Sequence, residues 1–164
     1  MFRLTSLAAA AFAIALVASL VTSPVQAQQP LPGVGAPLSL EQAKKAAAAA
    51  AAEAKKNNWN MVIAIVEPNG SLVYYEKMDG AQYGSIKVAQ QKALSSALYR
   101  RPTTAFEAGL KAGNTYLLQL ADANGVPGGR PIVKDGKVIG GIGISGATGA
   151  QDDQCAAAAI AALN

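Results

Sequence analysis

Residues 131–145, PIVKDGKVIGGIGIS, place two apolar runs on either side of Asp135-Gly136. An Asp-Gly pair tolerates left-handed backbone at both positions, and a two-residue turn of that kind fixes the register of the strands it joins. The second run carries Gly140, Gly141 and Gly143. Glycine inside a strand marks a place where another backbone or a ligand comes close. Gly141, Gly143 and Gly146 also match the G-x-G-x-x-G spacing that cradles a dinucleotide pyrophosphate. That fingerprint needs a strand-to-helix turn opening a βαβ unit, and an acid about 20 positions later at the end of a second strand. Here the glycines fall within the second strand of a hairpin, and residues 149–162 read as helix, so neither requirement is met. The nucleotide reading fails on context. Close packing is the reading taken, with a flat ligand on the glycine surface or an anion near Ala147–Gly149 as its alternatives.

The rest of the chain supplies partners for this hairpin. QQPLPGVGAP, residues 28–37, lacks periodicity and reads as a flexible leader. Ser39 with Gln42 forms a capping box that opens an alanine-rich helix running to about Lys56, able to approach a sheet closely. Two strand-like runs between Trp59 and Gly80 flank Pro68-Asn69-Gly70, a hairpin signal. Helical spacing runs from Gly84 to Arg100, Pro102 stops it, and Thr103 is placed to cap a short helix through Ala112. Residues 113–131 are turn-rich, with one apolar patch, YLLQL, at 116–120. Thr148 and Gln151 form a second capping box before the last helix. Helix, hairpin, two helices, hairpin, helix gives an α+β domain over 38–164, a mostly antiparallel sheet flanked by helices.

The sequence contains no histidine, which removes Ser-His-Asp and Cys-His catalysis and every His-ligated metal centre. The single cysteine, Cys155, permits no intrachain disulfide and reads as a small buried hydrophobe. Fourteen Lys and Arg against ten Asp and Glu are scattered rather than gathered on a basic face, so nucleic acid is not an expected partner. Arg3, the uncharged run Leu7 to Val21 and the small residues of Val25-Gln26-Ala27 predict a secretory signal peptide over 1–27. The run is short of the roughly 20 residues that span a bilayer, so stable membrane insertion is not expected after cleavage. A periplasmic or extracellular location follows.

MDGA at 78–81, KA at 92–93, RPT at 101–103, GGRPIVKDGKVIGGIGISG at 128–146 and QDD at 151–153 occur in that order. Together they resemble the GlcG/HbpS family of haem-binding proteins, also described as a haem-degrading domain. The resemblance covers essentially all of 38–164 and implies a profilin-like sandwich that assembles into homo-oligomers, octamers in the best-known case. It further implies haem held at the surface or between subunits, and in some exported members a role in reporting haem or redox stress to a membrane sensor. The threonine after the family's proline is an iron-side contact, a position that Thr103 matches. Two family features are missing: the histidine of the corrinoid-side members, and a pair of carboxylates at i,i+3 that binds iron in one exported member.

Each candidate residue carries two readings. Thr103 is a helix cap or the haem-iron contact. Arg100 and Arg101 are a solvated helix end or partners for porphyrin propionates, which guanidinium groups bind bidentately. Tyr83, Tyr99 and Met78 are core or interface side chains, or line a porphyrin edge and supply an axial donor. Lys92 projects from the central helix and is placed to meet a carboxylate ligand. Asp152 and Asp153 favour the positive end of the last helix. With neither histidine nor an exposed thiol, only carboxylate, lysine and tyrosine chemistry is left, and no carboxylate pair is placed face to face. A non-enzymatic haem-binding module is therefore the working expectation, a sensing or scavenging accessory. Its rivals are an enzyme or accessory factor acting on a small carboxylate such as glycolate, and an oligomeric scaffold.

Overall fold

Ser39 and Gln42 exchange backbone and side-chain hydrogen bonds ahead of the first helix, as the capping box requires. The computed structural model describes residues 30–164; the signal-peptide reading of 1–27 lies outside the described residues. Strand β1 (Gly33–Val34) precedes helix α1 (Leu40–Lys56), strands β2 (Val62–Val66) and β3 (Leu72–Lys77), and helices α2 (Gly84–Tyr99) and α3 (Thr103–Lys111). A 3-10 turn over Thr115–Gln119 leads to β4 (Gly129–Lys134), β5 (Lys137–Ser145) and α4 (Gly149–Ala161). No helix among the described residues is long and apolar enough to cross a membrane.

β5 organises the sheet. It pairs antiparallel with β4 on one side and with β2 on the other, and β2 pairs antiparallel with β3. β1 runs parallel to β5 beside Lys137 and Val138. The Gly35 amide donates to Val138 and the Leu38 amide to Ile139, so part of the expected leader is fixed along the sheet instead. Asp135 and Gly136 both have positive φ, 50° and 71°, and this tight turn sets the β4–β5 register. The first hairpin turns differently: Gly70 alone is left-handed and its amide donates to Glu67, giving a looser turn with an irregularity at Ile65/Val66.

Helices cover both faces. α1 and α4 lie on one, where six α1 alanines, Cys155, Ala156 and Ala159 meet Ile63, Ile65, Ile132, Ile142 and Ile144. The isoleucines supply the bulk, and the alanines let two helix backbones settle close to the sheet. α2 covers the other face through Ala89, Ala93 and Ala97 against Val62, Ala64 and Val66. Two of the three fingerprint glycines, Gly141 and Gly143, belong to this contact. A β-carbon on Gly141 would stand 2.6 Å from the Ala93 carbonyl oxygen, and one on Gly143 would collide with the Ala89 carbonyl and the Ala93 amide. Gly141 and Gly143 bring a helix down onto a strand, Gly146 fits closely against Asn60 and Met61, and no ligand is needed to explain them.

Candidate functional site

The seven candidate residues do not form one site. Met78 and Tyr83 stand at the amino end of α2, and Tyr99, Arg100, Arg101 and Thr103 at its carboxyl end. The 16 residues of α2 separate the groups by about 24 Å, well beyond the breadth of one porphyrin. Lys92 lies between them and faces inward.

Thr103 is the first residue of α3, and Pro102, not Thr103, occupies the cap position. Its side chain is fully buried. Its hydroxyl accepts the Gly129 amide at 3.0 Å and lies 3.5 Å from the Gly129 carbonyl. The expected cap is therefore a cross-link between α3 and β4, and a hydroxyl so enclosed does not fit a direct contact to haem iron from this face of the chain. Lys92 is corrected in the same way. Rather than awaiting a carboxylate ligand, its ammonium contacts Asp152 Oδ2 at 2.6 Å and donates to the Ile144 carbonyl at 2.9 Å. Burial pushes the Lys92 ammonium below the usual lysine value and the Asp152 carboxyl above the usual carboxylate value; each partner's charge acts in the opposite direction. The free Oδ1 of Asp152 accepts the Ala147 amide at 3.1 Å.

Asp153 takes the other direction, meeting Arg130 bidentately at 2.9 and 2.7 Å. Gly128, at φ 114°, packs against both members of the buried pair, since a β-carbon there would stand 2.7 Å from Asp152 Cβ and 3.1 Å from Lys92 Nζ. The KA, RPT, GGRP and QDD motifs thus meet at one junction of α2, α3, β4 and α4. The sequence reading missed this pairing, although Lys92 shares the buried stripe of Ser85, Ala89 and Ser96 at helical spacing.

At the carboxyl end of α2, Arg100 adopts left-handed backbone at φ 54° and its guanidinium donates to the Pro32 carbonyl at 2.9 Å. Arg101 Nε donates to the Tyr99 carbonyl at 3.2 Å, and its guanidinium lies over the Phe106 ring at 5.7 Å. The Tyr99 hydroxyl donates to the Ala121 carbonyl, and its ring meets Phe106 edge-on at 5.2 Å. The Tyr99 bond to Ala121, with the Asn124 amide donating to the Ser95 hydroxyl at 2.9 Å, ties the 121–124 stretch of the loop to the last turns of α2. Leu98 and, on the 113–127 loop, Tyr116, Leu118, Leu120 and Val126 are exposed. Neither guanidinium forms an ion pair among the described residues, so both keep capacity for an anion.

At the amino end of α2, Tyr83 is exposed and the Lys77 ammonium lies 5.3 Å from its ring centroid. Met78 is half-buried, its thioether accepting the Met61 amide at 3.4 Å. Cys155 is sealed in the core, where burial pushes its thiol up to about 11. No group of three or more metal-ligating His, Cys, Asp or Glu side chains occurs among the described residues.

The family described as haem degrading protein HbpS-like matches residues 38–161 of this chain. The chain belongs to the HbpS-like family. Protein GlcG of Escherichia coli strain K12 is 40% identical over 108 residues, covering 66% of this chain and 81% of GlcG. A glutamate-to-aspartate double mutant of Streptomyces reticuli HbpS superposes with a TM-score of 0.74 at 32% identity, covering 87% of this chain and 97% of HbpS. A PduOC:heme complex superposes with a TM-score of 0.72 at 27% identity, covering 78% and 96% of the two chains. The HbpS-like sandwich is thus shared in sequence and in structure.

Proposed function

We propose that this chain is an exported haem- or tetrapyrrole-binding protein that works as a homo-oligomer and holds its ligand loosely. The observation that carries the reading is membership of the HbpS-like family together with likeness to a relative solved as a heme complex. Exposed apolar side chains such as Leu98, Leu118 and Leu120 suit a porphyrin face, and Arg100 and Arg101, without ion pairs among the described residues, suit its propionates. A ferric haem bound there would supply redox and ligand-exchange chemistry at its iron. The chain's own part is to present an apolar face, neutralise carboxylates and limit access of water. Without histidine the affinity is expected in the micromolar range, about −8 kcal/mol.

Haemin titrated into the purified protein, with light scattering on the same sample, tests the reading. A saturating Soret shift on a species larger than one chain is expected. A spectrum that climbs without saturation, as for haem adhering to any protein, would remove it. Export is tested by intact mass of protein recovered from the cell envelope, which should begin at Gln28.

A further inference from the structure

We propose that the Asn124-Gly125 peptide is a site of spontaneous deamidation, an ageing step built into the 113–127 loop, and that Asn69-Gly70 is held back from it. The chain carries both Asn-Gly pairs. In this dipeptide the asparagine side chain is open to attack by the next backbone nitrogen, because glycine places no side chain in the way. The glycine nitrogen bonds to the asparagine Cγ, its amide proton passes to the departing side-chain nitrogen, and ammonia leaves behind a cyclic imide. Water then opens the imide at either carbonyl and gives aspartate or isoaspartate, with no change of oxidation state. The reaction needs neither an enzyme nor a cofactor.

The two sites share half of the chemistry. Asn69 Oδ1 accepts the Ser71 amide at 2.9 Å, and Asn124 Oδ1 accepts the Val126 amide at 2.8 Å. Each donor lies where negative charge develops on the oxygen as Cγ is attacked. The attacking nitrogens differ. The Gly70 amide donates to the Glu67 carbonyl at 2.9 Å, inside a turn that the Glu67 amide closes onto the Ser71 carbonyl at 2.8 Å. Gly70 must give up its bond to attack, which lowers the reactive population on the order of tenfold. The Gly125 amide has no acceptor among the described residues. Asn124 is anchored through its own amide to the Ser95 hydroxyl at 2.9 Å, which leaves the Gly125 peptide as the unbonded part. A β-carbon on Gly125 would stand 2.6 Å from Leu110 Cδ1, so close packing against α3 favours glycine at the attacking position. Either product puts a new carboxylate in the cleft that Asn124 shares with Asp122. Isoaspartate also adds a backbone carbon between the Ser95 anchor and Gly128, so the loop loosens as the protein ages.

The test is timed incubation of the purified protein at mildly alkaline pH, native and in guanidinium chloride. Peptide mapping by mass spectrometry then separates asparagine, aspartate and isoaspartate at each position. Unfolded protein should convert both sites at similar rates, since the reacting dipeptide is the same. Native protein should convert Asn124 on the order of tenfold faster than Asn69. The aged fraction, resolved from fresh protein by ion exchange through its added negative charge, should show faster amide exchange over 121–127. Equal native rates at the two positions, a faster Asn69, or no native conversion of Asn124 while the unfolded sample converts fully would overturn the assignment. An aged fraction whose 121–127 amides exchange no faster than those of fresh protein would overturn the loosening.

Discussion

Replacing Asp152 by asparagine removes one charge from the buried pair while keeping an oxygen for the Ala147 amide. At 2.6 Å the gross attraction to Lys92 is about 6 kcal/mol with an effective dielectric of 20. Desolvating two ions costs several kcal/mol each, so the pair as a whole adds little net stability. Removing one partner is a different matter. The Lys92 ammonium, fully buried, would keep the Ile144 carbonyl and no counter-charge. The expected loss for Asp152→Asn is about 3–5 kcal/mol, a large share of a total stability of about 5–15 kcal/mol. Asp152→Ala should cost about 1–3 kcal/mol more, because the Ala147 amide then lacks its acceptor. Lys92→Met alone leaves a buried carboxylate and should be as damaging as Asp152→Asn. The double variant Lys92→Met with Asp152→Asn should lose far less stability than the two single losses added together, since no uncompensated charge remains. Urea unfolding followed by circular dichroism, at one fixed protein concentration, measures all four. Additive losses, or an Asp152→Ala variant within 1 kcal/mol of wild type, would refute the argument.

Gly143→Ala should destabilise the fold severely or prevent it, because its β-carbon meets the α2 backbone, whereas Gly136→Ala, with open space but φ 71°, should cost only about 1 kcal/mol; melting temperatures compare them. Cys155 should resist a thiol reagent at pH 8 in the native protein and react once urea unfolds it. Its thiol ionises near 9.0 when unfolded and at about 11 when folded, so the stability it carries is intact below pH 9 and is lost as pH rises from 9 toward 11. Urea midpoints across that range check the sign. Tyr99→Phe should lose about 1 kcal/mol through its bond to Ala121 and loosen the loop, seen as faster amide exchange over 113–127.

Local chemistry determined a great deal of this protein. Both capping boxes, the Asp135-Gly136 turn and the helix stop at Pro102 each depend on residues within a few positions of one another, so their spacing in the sequence is enough to place α1, α4, β4–β5 and the boundary of α2. The packing role of Gly141 and Gly143 was legible too, because glycine in a strand needs a close neighbour, although only the fold names α2 as that neighbour. The site was another matter. Lys92 and Asp152 lie 60 positions apart on helices covering opposite faces of the sheet, and Thr103 reaches Gly129 across 26. No local spacing encodes such pairs, because the fold brings them together only after both helices have docked. The burial of Thr103 is likewise set by the docking of α3 against β4. Sequence decides which side chains are able to bond a ligand; tertiary packing decides which of them still have a bond to give.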